Sequence, residues 1–228
     1  MDQILSYREM CDAENVQTLQ RGMNYKMNPA YSVILMSRRS NAPYQDAILD
    51  DGITILYEGH DAPRTDPNVN PKEIDQPIHT ANGTLTQNGL FIQGVDNYKQ
   101  RKSPAELVKV YEKMLPGVWS LKGFFNLIDY EQVENEGRQV FRFKLKLSEN
   151  QDLNRETEID IKHTRLIPSK VKLEVWKRDK GVCVLCGATK NLHFDHNLPF
   201  SRGGSSLTAK NIRLLCDKCN WAKSNKIE

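Results

Sequence analysis

The sequence predicts an α+β protein, with β-rich residues 1–150 followed by a small unit folded around a metal. Three observations lead there. Residues 140–147 alternate strictly: Phe141, Phe143, Leu145 and Leu147 share one face, and Arg142, Lys144 and Lys146 the other, the period of a half-buried strand. Tyr31–Met36 and Ile53–Tyr57 are short β-forming runs, separated by a turn-rich segment with Pro43, Asp46, Asp50, Asp51 and Gly52. Near the C-terminus, Cys183-Val-Leu-Cys186 and Cys216-Asp-Lys-Cys219 form two CxxC pairs with 29 residues between them. Each pair can place two thiolates on one ion, and together they complete a tetrahedral site.

The remaining elements follow in chain order. Residues 60–89 are rich in Asp, Asn, Pro and Gly and read as a long loop. Ser103-Pro-Ala-Glu106 has the form of a capping box, and Leu107, Val110, Tyr111 and Met114 then make one apolar stripe before Pro116, which predicts a helix. Phe124–Ile128 reads as a strand. Residues 151–166 are polar and weakly patterned, so the sequence divides into a domain 1–150, a linker 151–166 and a domain 167–228. Pro168 and Ser169 open a helix to about Arg178, with Val171, Val175 and Trp176 on its buried side. Leu192–Asp195 and Asn211–Leu215 read as strands, Pro199–Gly204 as a loop between them, and a short helix containing Lys223 follows Cys219.

Composition narrows the function classes. At 228 residues, 39% hydrophobic and 27% charged, the chain can bury one large or two modest cores. No apolar run is long enough to span a bilayer, and the opening MDQILSYREM lacks a basic stretch followed by an apolar core, so neither membrane insertion nor secretion is expected. Charge is unevenly placed. Residues 1–150 carry 17 Lys+Arg against 20 Asp+Glu, and residues 151–228 carry 15 against 9, so the net +6 of the C-terminal part suits a polyanion. Five cysteines, one of them the unpaired Cys11, argue against a disulfide scaffold and for a reducing, cytoplasmic setting. Cys11 itself reads as a small buried hydrophobe.

Soft thiolates favour Zn2+ at Cys183, Cys186, Cys216 and Cys219, although an iron–sulfur centre has the same ligands. So small a unit has little apolar core, and the metal should supply much of its folding energy. Between the pairs, Asp195-His196 combines a carboxylate for a hard divalent cation with a base for water, the two needs of phosphodiester hydrolysis. His193 shares a strand face with Asp195, where it can touch a metal, support it through a hydrogen bond or face solvent.

The stretch from Ile167 to Lys226 resembles the HNH endonucleases, which use a ββα-metal fold. The matching residues are Ile167-Pro-Ser, Arg178-Asp, Cys183-x-x-Cys186-Gly187, Asp195-His196-x-x-Pro199, Gly203-Gly204, Asn211 and Cys216-x-x-Cys219-Asn220-x-x-Lys223. The resemblance implies that Asp195 and Asn220 hold a catalytic Mg2+ or Mn2+ and that His196 is the general base. It also implies that Asn211 orients the imidazole, while Lys223 and Arg202 are weaker candidates for phosphate contacts.

Residues 30–147 resemble an SRA (YDG) domain, a twisted β-barrel related to PUA-like folds. The cues are Ser32-Val-Ile-Leu, Tyr44-Gln-Asp46, Asp51-Gly52, Leu56-Tyr57-Glu-Gly59, Gln76, Asn82-Gly83-x-Leu85, Lys122-Gly-Phe-Phe125 and Arg142-Phe-Lys-Leu145. Such domains flip 5-methylcytosine or 5-hydroxymethylcytosine into a pocket. Carried over, Tyr44 and Tyr57 stack on the base and Asp46 reads its edge, with Asp50 or Asp51 as substitutes and His60 and Asp61 at the rim. The Tyr44–Tyr57 spacing departs from the family by one residue. The pairing of the two parts resembles McrA-type modification-dependent restriction enzymes, which implies a type IV-like bacterial endonuclease acting on double-stranded DNA with modified cytosine. One metal centre per subunit would call for a homodimer, or two bound proteins, to break both strands. The competing expectations are an HNH endonuclease reading unmodified sequence and a zinc-stabilised DNA reader without turnover.

Overall fold

The structure, a computed structural model, describes residues 3–64, 67–149, 167–198, 206 and 208–223. The expected linker 151–166 and the loop residues Pro199, Arg202, Gly203 and Gly204 lie outside the described residues. In chain order the elements are strand β1 (Gln3–Ser6), helix α1 (Tyr7–Ala13), strands β2 (Met23–Asn28), β3 (Tyr31–Met36), β4 (Ala47–Ile48) and β5 (Thr54–Glu58), and helix α2 (Gln87–Lys99). Then come strands β6 (Glu106–Leu115), β7 (Val118–Asn135) and β8 (Arg138–Leu147), helix α3 (Ser169–Arg178), strands β9 (Leu192–His196) and β10 (Ile212–Cys216), and helix α4 (Asp217–Lys223). This is an α+β protein dominated by strands, and no helix among the described residues is long and apolar enough to cross a membrane.

Two compact units form, and they interleave in sequence. One contains residues 1–18, 111–123 and 149–228, the other residues 19–110 and 124–148. The two successive domains drawn from the sequence at 150 and 167 therefore do not coincide with them. The reason is visible in the first unit. β1 pairs antiparallel with β9 (Gln3 opposite His193, Ile4 opposite Leu192) and on its other side with β7 (Ile4 opposite Ser120). Ile4 and Met114 join Ile167, Val171, Val175, Leu192, Phe194, Ile212 and Leu214 in one buried cluster. The C-terminal segment supplies too little apolar surface alone, and the first residues and the 111–123 hairpin complete its core. Lys172 of α3 is fully buried, and its ammonium donates to Ser120 Oγ at 2.8 Å.

In the second unit β8 is central, pairing with β5 (Tyr57 opposite Phe143) and with β7 (Leu127 opposite Leu145). The alternation read in the sequence holds: Phe141, Phe143 and Leu145 are buried, while Arg142 is half-buried and Lys144 and Lys146 exposed. Helix α2 buries Phe91, Ile92 and Val95, and Phe91 meets Phe143 edge-on at 5.7 Å.

Two element assignments need correction. Residues 106–115, expected as a helix, form β6. The segment satisfies both periods, but Val108, Val110, Glu112 and Met114 point alternately inward, and buried Glu112 pairs with Lys122 of β7 at 3.4 Å. Glu106, which a capping box would turn back on Ser103, instead accepts from Ser32 Oγ at 2.7 Å. Conversely, the expected loop ends in α2, whose N-cap Thr86 accepts from Gly89 N–H. Gly89 and Gly94 weaken that helix as a sequence signal. A Cβ on Gly89 would lie 2.4 Å from the Ile78 carbonyl, and one on Gly94 would lie 3.1 Å from the Tyr25 hydroxyl.

Candidate functional site

In the first unit, the thiols of Cys183, Cys186, Cys216 and Cys219 all lie within 4.8 Å of one another. The fold builds this cluster from two anchored turns. Val184 N–H donates to the Leu214 carbonyl at 3.0 Å, tying the first turn to β10, and Gly187 closes it with φ +74°, the left-handed backbone that glycine tolerates. Cys216 ends β10 and Cys219 lies one turn into α4. Burial pushes the Cys183 thiol up, but backbone N–H groups of Cys216, Cys186 and Leu185 outweigh it and its pKa falls to about 6. A soft four-sulfur set within this distance fits Zn2+. Arg178-Asp179 braces the same region. The guanidinium donates to the carbonyls of Ala209 at 2.6 Å and Ile212 at 2.7 Å, and Asp179 accepts from Leu214 N–H at 2.9 Å.

β9 and β10 pair in register from Leu192 opposite Cys216 to His196 opposite Ile212, which brings Asp195 and His196 to the end of a short hairpin beside α4. Asp195 Oδ2 meets the ammonium of Lys223, which also donates to the His196 carbonyl, and the Arg213 Nε lies 3.8 Å away. The carboxylate thus already sits against cationic groups, and Asn220 lies on the same helix as Lys223, three residues before it. His196 Nε2 is 2.9 Å from Ser206 Oγ. Asn211 clamps the chain just beyond: its Oδ1 accepts from Leu198 N–H at 2.8 Å and its Nδ2 donates to the Leu198 carbonyl at 3.0 Å. These bonds fix the turn after His196, and the Asn211 carbonyl accepts from Asn197 N–H at 2.7 Å. Of the roles left open for His193, the structure gives a hydrogen bond to Asp217 at the start of α4.

In the second unit the residues expected to grip a base are arranged differently from the expectation. Tyr57 is 1% exposed, too buried to offer a face, and its hydroxyl bonds His60 Nε2 at 3.0 Å. Tyr44 stacks not on open space but on His60, with centroids 5.2 Å apart and planes 11° off parallel, and Lys72 Nζ lies 4.1 Å from the same ring. Asp46 is turned to the backbone, accepting from Ser37 N–H at 2.9 Å and Glu58 N–H at 3.1 Å. It is a bracket between β3 and β5, and the carboxylate beside the stack is Asp61, held by Arg138 at 2.6 Å and Lys72 at 2.9 Å. Asp51 likewise caps its own turn through Ile53 and Thr54. Gln76 is 3% exposed and donates to the Gly59 carbonyl at 2.7 Å, while Asn88 holds both the N–H and the carbonyl of His60. Burial lowers the His60 pKa to about 4, with Lys72 and Arg21 adding to the effect and Asp61 opposing it, so the stacked imidazole is neutral near pH 7. Gly22 belongs to the same wall, since a Cβ there would lie 2.6 Å from His60 Nε2. His60 was readable only as a rim residue, and Lys72 and Ser206 carry no local motif that marks them.

Residues 183–226 match the sequence profile of the HNH endonuclease family. A comparison with curated proteins gives no significant match. Among solved structures, the chain is similar to the SRA domain of SUVH5 with hemi-methylated CG DNA, at 19% identity over 65% of this chain and 88% of that one, TM-score 0.44. It is also similar to SUVH5 SRA bound to fully hydroxymethylated CG DNA, at 20% identity over the same shares, TM-score 0.44. Arabidopsis thaliana SUVH6 in complex with SAM matches at 18% identity over 74% of this chain and 27% of that one, TM-score 0.44.

Proposed function

We propose that the chain is a metal-dependent DNA endonuclease whose second unit binds cytosine carrying a 5-methyl or 5-hydroxymethyl group. The ββα element then hydrolyses a phosphodiester nearby, as in a type IV-like, modification-dependent restriction enzyme. The observation that carries the nuclease reading is the position of Asp195 and His196 at the end of β9, where Lys223 of α4 meets the Asp195 carboxylate and the His196 carbonyl, in the unit that also holds the four-thiol cluster. Asp195 and Asn220 are the residues to hold Mg2+ or Mn2+, which when bound polarises the phosphate and stabilises the charge that develops on it.

The protein's own groups do the rest. His196, its ring fixed by Ser206 at Nε2, accepts the proton of the attacking water. Asn211 keeps the turn beyond it in place through Leu198, so the imidazole and the Asp195 carboxylate hold a constant relation. Zn2+ at the four cysteines takes no part in the reaction; it fixes the start of α4 against β10, and with it Asn220.

Base recognition rests on the Tyr44 ring, the neutral His60 stacked on it and the charged Asp61 next to them, a set that can stack on a flipped ring and accept the cytosine amino hydrogens. In the DNA-free protein His60 and Lys72 occupy the Tyr44 ring, and base entry displaces one of them. Cleavage of duplex DNA with Mg2+ or Mn2+ tests the reading. His196→Ala and Asp195→Ala should each lower the rate by about 10²–10⁴-fold with zinc content unchanged, and full activity in either protein refutes the assignment.

A further inference from the structure

We propose that Lys223 is an internal counter-cation that holds the metal-binding carboxylate until a divalent ion and a DNA phosphate arrive, and then transfers to that phosphate. The inference rests on the assignment of Asp195 as a metal-holding residue. Lys223 is the last residue of α4, and its side chain is 3% exposed, against 15% for Asp195. A lysine is rarely so buried unless its charge is matched. Here the match comes from two groups of the proposed active site, the Asp195 carboxylate and the His196 main-chain carbonyl. The ammonium therefore occupies one of the two carboxylate oxygens, Oδ2, and matches the charge that a divalent ion would draw on.

The chemistry of the two cations explains why this arrangement suits an exchange. A carboxylate left unpaired at this depth is costly, so the metal-free site needs a positive charge. Lysine supplies it as a point charge on a flexible four-carbon stem, with three donors that accept any oxygen geometry. Arginine would hold a carboxylate through a planar fork and yield it less readily. When a divalent ion takes Asp195, the ammonium is released within reach of the same site, where a phosphate oxygen is the natural new partner. Occupancy of Asp195 by Lys223 and by metal are then mutually exclusive. By linkage, Lys223 weakens metal binding in the absence of DNA and favours loading of the metal together with its substrate.

The test is Mn2+ binding to the full-length, zinc-loaded protein without DNA, followed by electron paramagnetic resonance. Removing the competitor in Lys223→Met should tighten Asp195-dependent Mn2+ binding by about tenfold or more, the scale of ordinary site coupling, while Lys223→Arg should not. Unchanged or weaker binding in Lys223→Met overturns the proposal. Should that protein fold poorly, the wild type gives an independent reading through acylation of Lys223 by an amine-reactive reagent, quantified by peptide mass spectrometry. Mn2+ should raise acylation at Lys223, and unchanged protection counts against the exchange. Asp195→Ala separates the two levels. If it abolishes Mn2+ binding but Lys223→Met has no effect, only the counter-cation role falls. If no Mn2+ binding depends on Asp195 in any of the proteins, the metal-holding role of Asp195 falls as well.

Discussion

Single residues show where a local pattern was sufficient and where it was not. Asp195 and His196 are adjacent in sequence, so their common place at one strand end was legible. Asp46 was not, because what a carboxylate does depends on which distant N–H groups reach it; here they belong to Ser37 and Glu58. Asp46→Ala should therefore cost stability, about 2–3 kcal/mol for lost bonds to a charged acceptor, read by denaturant unfolding. If stability were unchanged and base discrimination lost, Asp46 would be a reader after all. His60 adds a pH signature. Its pKa falls from about 6.5 unfolded to about 4 folded, so the unfolded state binds more protons between those values and stability drops as pH falls through that window. Between pH 7 and pH 5 the loss should be on the order of 2 kcal/mol, and it should vanish in His60→Gln. The lowered Asp61 pKa acts below this window, since its carboxylate stays ionised there.

At the scale of elements, alternation and the cysteine spacing led to β8, β9, β10 and the clamp, all determined by near neighbours. The misread elements are those decided by distant partners. β6 became a strand because Lys122 and Ser32 receive its two glutamates, and α2 keeps two glycines because other chain segments press against them. The most consequential omission was β1, four residues without any motif, which hydrogen-bonds along β9, the strand that carries Asp195 and His196. Ile4 is 7% exposed in the core shared with Leu192 and Phe194. Ile4→Ala should cost about 2–4 kcal/mol and loosen zinc, seen as faster metal release to a chromogenic chelator. A fragment of residues 167–228, lacking β1 and the 111–123 hairpin, should not fold on zinc addition; a well-dispersed NMR spectrum from it would show that the clamp alone is sufficient.

For the molecule as a whole, the proposed function assigns reading and cutting to different units, one holding Tyr44, His60 and Asp61, the other Asp195, His196 and the four thiols. The uneven charge, net +6 in residues 151–228, gives the part of the chain that carries Asp195 and His196 the charge a polyanion needs. Stripping zinc should abolish cleavage in a way that Mg2+ alone does not restore, because Cys216 and Cys219 bracket the start of the helix that carries Asn220. The most direct measurement uses matched duplexes carrying cytosine, 5-methylcytosine, 5-hydroxymethylcytosine or its glucosylated form, incubated with the protein and Mg2+ or Mn2+, with the ends mapped. We expect cleavage only where a methyl or hydroxymethyl cytosine is present, at a fixed offset from it, and none in chelator. Equal cutting of the unmodified duplex would contradict modified-base targeting, and no cutting of any duplex under any metal would contradict the nuclease itself.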